Sequence, residues 1–138
     1  MTHPGLRQLL AFWDDRRGGD AMPTCAAIDA VALWHWLGNL MLIEATSAGE
    51  FKYRVYGTGL AEYYGRDLTG KTTAWLRPGV RELVCREYDA VCKTARPLLV
   101  THRRRVREQP ILVEKLILPF AGEGQTVARL LVGAYPSV

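Results

Sequence analysis

The order of apolar patterns predicts an α+β domain: a five-stranded antiparallel sheet with helices over one face and an N-terminal flanking helix. Three observations carry that expectation. An amphipathic helical pattern fills 80–95. Two apolar runs joined by a short glycine-containing turn precede it. Three strand-like runs separated by turn residues follow it. Two strands, a helical crossover and three more strands close into one antiparallel sheet. Such a sheet curls because strands twist, and the long helix then covers its hollow.

Each element follows from its residues. Leu6, Leu9, Leu10 and Trp13 recur at helical spacing and form one stripe on a first helix, which ends near Arg17 before Gly18-Gly19. A loop containing Pro23 follows. The segment 25–37 predicts a second, irregular helix around Ile28-Asp29. Its Trp34 and Trp36 cannot share one helical face. The apolar run 39–45 and the alternation Phe51, Tyr53, Val55 predict a hairpin, turning through Ser47-Ala48-Gly49-Glu50. Short helices are expected at 58–64 and around Ala74-Trp75-Leu76, with a loop at 65–70 between them. In the long helix, Val80, Leu83, Val84, Tyr88, Val91, Cys92 and Ala95 share one face, and Pro97 stops it. Strands are expected at about 98–107, 111–119 and 126–135. Gln109-Pro110 and Gly122-Glu123-Gly124 supply the turns, and Pro119 is placed at a strand end.

Composition bounds the function. With 138 residues, 49% hydrophobic and 23% charged, the chain suits one domain, read as a flanking helix over 1–20 and a core over 21–138. Disorder, collagen and coiled coil are excluded. A net charge of +4 is too weak a signal for nucleic acid. Cys25, Cys85 and Cys92 stand at no metal-ligand spacing. They read as reduced thiols in a cytoplasmic protein. The first residues form no signal peptide, and no apolar stretch approaches the roughly 18 residues a membrane span needs.

Several fragments together carry a resemblance. Trp13, Arg17-Gly18-Gly19 and Pro23 open the chain. Phe51-Lys52-Tyr53-Arg54-Val55-Tyr56-Gly57-Thr58 follows, then Gly65-Arg66-Asp67-Leu68-Thr69-Gly70, Tyr88, Pro97, and Glu114-Lys115-Leu116-Ile117-Leu118-Pro119. In this order they resemble the PAS domain, in particular the small stand-alone bacterial PAS_5 type, once a domain of unknown function. The family often has Asp-Pro where this chain has Asp29-Ala30, so its second helix starts differently. The resemblance implies sensing or regulation through a small ligand or a partner protein rather than catalysis. It also implies homodimers built through flanking helices. On that basis Leu6, Leu9, Leu10 and Trp13 are interface candidates, anchored by Trp13. Within 138 residues the expected output is contact with a separate signalling protein.

Candidate ligand-binding residues are Tyr53, Arg54, Val84, Tyr88 and Leu116. Tyr88 leads, because a tyrosine on the apolar face of the long helix buries a ring whose hydroxyl needs a partner, Arg54 or a backbone group among them. Haem-binding relatives use a histidine on the long helix, and here it has none. Flavin-adduct relatives need a cysteine between the short helices and the long one, and none lies between Cys25 and Cys85. Neither cofactor is expected, although a tyrosine such as Tyr88 can ligate haem iron. No metal site is expected.

Three further features have plain structural readings. Gly65 to Gly70 lacks the phosphate-loop spacing, and Asp67 is expected to brace its turn. Arg103, Arg105 and Arg107 share one strand face, with His102 and Arg104 on the other. That stripe suits a solvated face or charged edge better than a phosphate, acidic-partner or RNA site, and RNA suits it least, since no aromatics interleave. Glu114 is the one tempting catalytic base. The enzyme alternative is a cone-fold isomerase or dehydratase, which would need a base in a wet cavity. The remaining alternative is an interaction module with a filled core.

Overall fold

In the computed structural model, residues 3–46 and 49–137 are described. Ser47 and Ala48 of the expected hairpin turn lie outside the described residues. The flanks of that turn are joined by the Thr46 N–H, which donates to the Glu50 carbonyl at 2.9 Å. The elements are α1 (Pro4–Arg17), β1 (Leu40–Ala45), β2 (Phe51–Tyr56), α2 (Thr58–Tyr64), α3 (Val80–Thr94), β3 (Leu98–Val106), β4 (Gln109–Ala121) and β5 (Val127–Ser137). All strand pairs are antiparallel, in the order β2-β1-β5-β4-β3. The crossover that returns the chain from the β2 edge to the β3 edge contains α2, a 3₁₀ turn at Thr73–Trp75, and α3.

Each face of the sheet has its own core. On the front, α2 and α3 cover Met41, Ile43, Tyr53, Val113, Ile117 and Val132. On the back, Leu6, Leu9 and Trp13 of α1 pack on Leu40, Leu116, Leu118, Phe120 and Leu131. Strand β4 supplies both, since alternate residues face opposite ways. Trp13 Nε1 donates to the Pro119 carbonyl at 2.8 Å, and Trp36 Nε1 to the Gly5 carbonyl at 2.9 Å, so both ends of α1 are pinned. Gly133 lets α1 approach: a Cβ there would lie 2.8 Å from Leu9 Cδ2.

Several local expectations need correction. The second helix is replaced by two 3₁₀ turns, Cys25–Ala27 and Trp34–Asn39, with Ile28 extended between them and a separate turn closed by the Leu33 N–H donating to the Asp29 carbonyl at 2.9 Å. Trp36 is buried and Trp34 is 72% exposed, which resolves their conflict over one face. The β3–β4 turn is Arg107-Glu108, both at positive φ. Gln109 and Pro110 are already paired in β4, opposite Val106 and Arg105. Pro119 lies inside β4 rather than at its end. Strand β3 reaches only to Ile117 of β4, so the missing N–H deprives no second neighbour. Asp67 does brace its turn, accepting from the Thr69 N–H at 2.8 Å.

Candidate functional site

Between α3, the α2 segment and the front of the sheet lies a cavity of about 300 Å³. Its apolar wall includes Met41, Leu68, Val84, Val113 and Ala134. Four tyrosines, Tyr53, Tyr56, Tyr64 and Tyr88, line it, with Arg66, Arg77, His102, Arg104 and Lys115.

A β-bulge positions two of the tyrosines. Between β1 and β2 the register shifts so that Leu42 faces Val55 and Ile43 faces Tyr53, leaving Arg54 as the extra residue. Strict alternation would put Tyr53 and Val55 together. The bulge instead turns Arg54 and Val55 outward and brings Tyr56 beside Tyr53, ring centroids 5.6 Å apart. Arg54 therefore lies outside the cavity lining, its guanidinium 4.0 Å from Glu44. Leu116 is likewise misplaced by the expectation. It is buried on the back of β4 beneath α1, and its neighbour Lys115 faces the cavity. Tyr53, Val84 and Tyr88 are brought together on the cavity.

The Tyr88 ring is fully buried, edge-on to Phe51 at 5.2 Å, and its hydroxyl interacts with that of Tyr53, whereas Arg54 lies outside the cavity. Burial pushes Tyr53 up to about 12 and Tyr64 up to about 12. Burial likewise raises Tyr56 and holds Tyr88 far above the ordinary tyrosine range. All four hydroxyls thus keep their protons at neutral pH, and each can donate.

Behind this wall stands a charged group that the sequence reading missed. Glu87 of α3, nearly buried, holds His102 Nε2 of β3 at 2.9 Å and Lys115 Nζ of β4 at 2.8 Å. Lys115 also lies over the Tyr88 ring, 5.5 Å from its centroid. Burial alone would raise Glu87, but the His102 hydrogen bond and the Lys115 ammonium outweigh it and leave the carboxyl below its ordinary value. Burial pushes Lys115 down, against the pull of Glu87. The signal was available: Glu87 falls at i+3 from Val84 and i−4 from Val91, inside the apolar stripe. Lys115 sits between Val113 and Ile117 in the inward alternation. A charge at a core position of that kind is informative because such groups are buried only when paired.

The other candidates lie elsewhere. Leu6, Leu9 and Trp13 are spent on their own sheet, and so are unavailable to a second chain in this conformation. Leu10 is half-buried. Glu114 is on the back, accepting the His3 N–H at 2.8 Å, remote from the cavity as a catalytic base. Arg103, Arg105 and Arg107 are exposed. Among the described residues no cluster of His, Cys, Asp and Glu could hold a metal ion, and no helix is long and apolar enough to cross a membrane.

Comparison with known proteins places this geometry. The PAS domain from Bordetella pertussis BvgS is similar in structure, with a TM-score of 0.61 at 9% identity over 78% of this chain and 82% of that one. The Rhodobacter sphaeroides LOV protein is similar over 99% of this chain and 68% of its own, with a TM-score of 0.54 at 13% identity. VqmA bound to DPO matches 78% of this chain and 56% of its own, with a TM-score of 0.57 at 13% identity. No curated protein matches the sequence. Light-oxygen-voltage domains among these neighbours mean that a flavin remains compatible with the fold. The PAS domain family itself matches residues 1–135. With the sheet order and the front cavity, that match is decisive: the chain belongs to the PAS domain family of sensory and regulatory modules.

Proposed function

We propose that this domain is a cytoplasmic, non-enzymatic sensor that binds a small organic molecule in the front cavity and passes its state to another protein. The observation that carries the reading is the cavity itself, at the lower end of the roughly 300–1,000 Å³ usual for ligand pockets. It combines an apolar wall with tyrosine hydroxyls and buried charge. A core filled by its own side chains would leave no such space. VqmA, a structural neighbour described bound to DPO, supports the reading.

Neither a flavin adduct nor haem suits the residues present. The lining contains no cysteine for a flavin adduct. His102 Nε2 is engaged by Glu87, and the Tyr88 hydroxyl by Tyr53. Homodimerisation is a second part of the proposal, supported by the Vibrio cholerae VqmA dimer. Its contact excludes Leu6, Leu9 and Trp13 and leaves Leu10 as the one member of that stripe near the surface.

Native mass spectrometry of protein purified from its own host tests the reading. The expected result is a stoichiometric small-molecule adduct, no Soret or flavin band, and loss of the adduct in Val84→Trp, which fills the cavity. Protein free of any adduct, or an adduct that survives Val84→Trp, overturns it.

A further inference from the structure

The proposed ligand site has an unbalanced charge. Its lining carries three permanent cations, Arg66, Arg77 and Arg104, together with Lys115, and no carboxylate. Glu87, just behind, neutralises Lys115. Among the described residues no carboxylate pairs with the three guanidiniums. Arg66 gives one bond to the Trp75 carbonyl at 2.8 Å and Arg104 one to the Arg103 carbonyl at 3.2 Å. A guanidinium has five N–H donors, so most of this capacity remains open.

The cations are also sorted by depth. Lys115 is buried and already paired, Arg104 is half-buried, and Arg66 and Arg77 are exposed at the solvent edge. Met41, Val84 and Val113 are buried apolar wall. The space therefore has an apolar interior, tyrosine donors along its side and a cationic mouth. Positive groups at the rim of a low-dielectric cleft concentrate anions.

Resting on the ligand-site reading above, we propose that the cavity takes a small organic carboxylate. Its apolar body lies against Met41, Val84 and Val113, and its carboxylate lies at the mouth among Arg66, Arg77 and Arg104. A carboxylate is planar, and its two oxygens match the guanidinium fork. Its single charge also leaves most of the ligand apolar, as the interior demands. The tyrosine hydroxyls, protonated throughout the physiological range, add neutral donors that do not repel the anion.

Calorimetric titration of the full chain with matched pairs tests this: indole-3-acetate against indole-3-acetamide, 3-phenylpropionate against its amide, octanoate against octanamide, with phenyl phosphate alongside. Charge-assisted bonds are about twice as strong as neutral ones. One acid or more should bind at one per chain, with its amide weaker by about tenfold or more. Its affinity should fall as salt rises. Arg104→Gln and, at the exposed edge, Arg66→Gln should each narrow the gap between acid and amide while the melting temperature holds. An amide equal to its acid in every pair that binds, or phenyl phosphate as the tightest probe, overturns the carboxylate assignment and leaves the ligand site standing. Acid binding that survives Val84→Trp overturns both. Binding by no probe up to millimolar concentration also overturns the carboxylate assignment, and the native adduct then decides the ligand site on its own.

Discussion

Glu87 answers to two partners at once, the Lys115 ammonium and the His102 imidazole, and the consequence is measurable. In Glu87→Gln, Lys115 stays buried beside a neutral amide, and breaking a buried pair from one side costs about 3 kcal/mol or more. The expected loss of stability in chemical denaturation is of that order. Replacing Lys115 by Met in the same background should restore part of it, since an apolar pair can substitute for a buried ionic one. A pH dependence follows from the same carboxyl. Its folded value lies below the ordinary 4.5, so its stabilisation is present above that value and is lost as pH falls through the folded value. Thermal melts should therefore drop on acidification below about pH 4.5 in the natural chain. The drop should be shallower in Glu87→Gln. An equal slope in both chains contradicts this account. Glu87 also shows why the candidate site was only partly legible in the sequence. Tyr53, Val84 and Tyr88 obey simple periodicity and were found. Glu87 and Lys115 occupy core positions but carry charge, and only the tertiary fold reveals that they satisfy each other.

At the scale of elements, strand and helix identities were legible wherever the pattern stayed regular, as in α1, α3 and β1. They failed where one residue breaks the period. The bulge at Arg54 adds a residue to β2, so alternation counted from Phe51 assigns Val55 to the core in place of Tyr56. The segment 25–37 has no helical period to find, because its two 3₁₀ turns are separated by a break at Ile28 and an isolated turn. The β3–β4 hairpin misled through its chemistry. Its two-residue turn places Arg107 at φ 51° and Glu108 at φ 65°, a conformation that favours Asn-Gly. Gln109-Pro110 looks more like a turn and is not one. The natural turn residues therefore carry backbone strain. Changing Arg107 to Asn and Glu108 to Gly together should stabilise the domain by about 0.5–1 kcal/mol, read from urea midpoints at unchanged slope. A loss of stability would show that the Arg105 bond to the Glu108 carbonyl, 2.9 Å, does not survive the change.

For the molecule as a whole, the helix before the core is part of what keeps the sheet folded. Leu6, Leu9 and Trp13 are almost wholly buried, and burying such side chains contributes about 1.5–3 kcal/mol each. Their sum rivals the roughly 5–15 kcal/mol that holds a small domain together. A chain beginning at Ala21 would expose Leu116, Leu118, Phe120 and Leu131 to water. It should lose its cooperative melt and aggregate in light scattering. A monomeric truncated chain with an unchanged melting temperature would refute this. The helix stripe alone does not distinguish its own sheet from a second chain, because a stripe specifies burial but not against what.

One geometric consequence remains in the two-sidedness of β4. Lys115 and Leu116 are consecutive, one facing the cavity and the other lying beneath α1. The sheet between them is a partition a single chain thick, with no padding to absorb displacement. Interiors packed at crystal-like density transmit strain rather than dissipate it. Whatever draws Lys115 forward draws Leu116 away from Leu6 and Leu9, so the two chambers of this domain share one diaphragm.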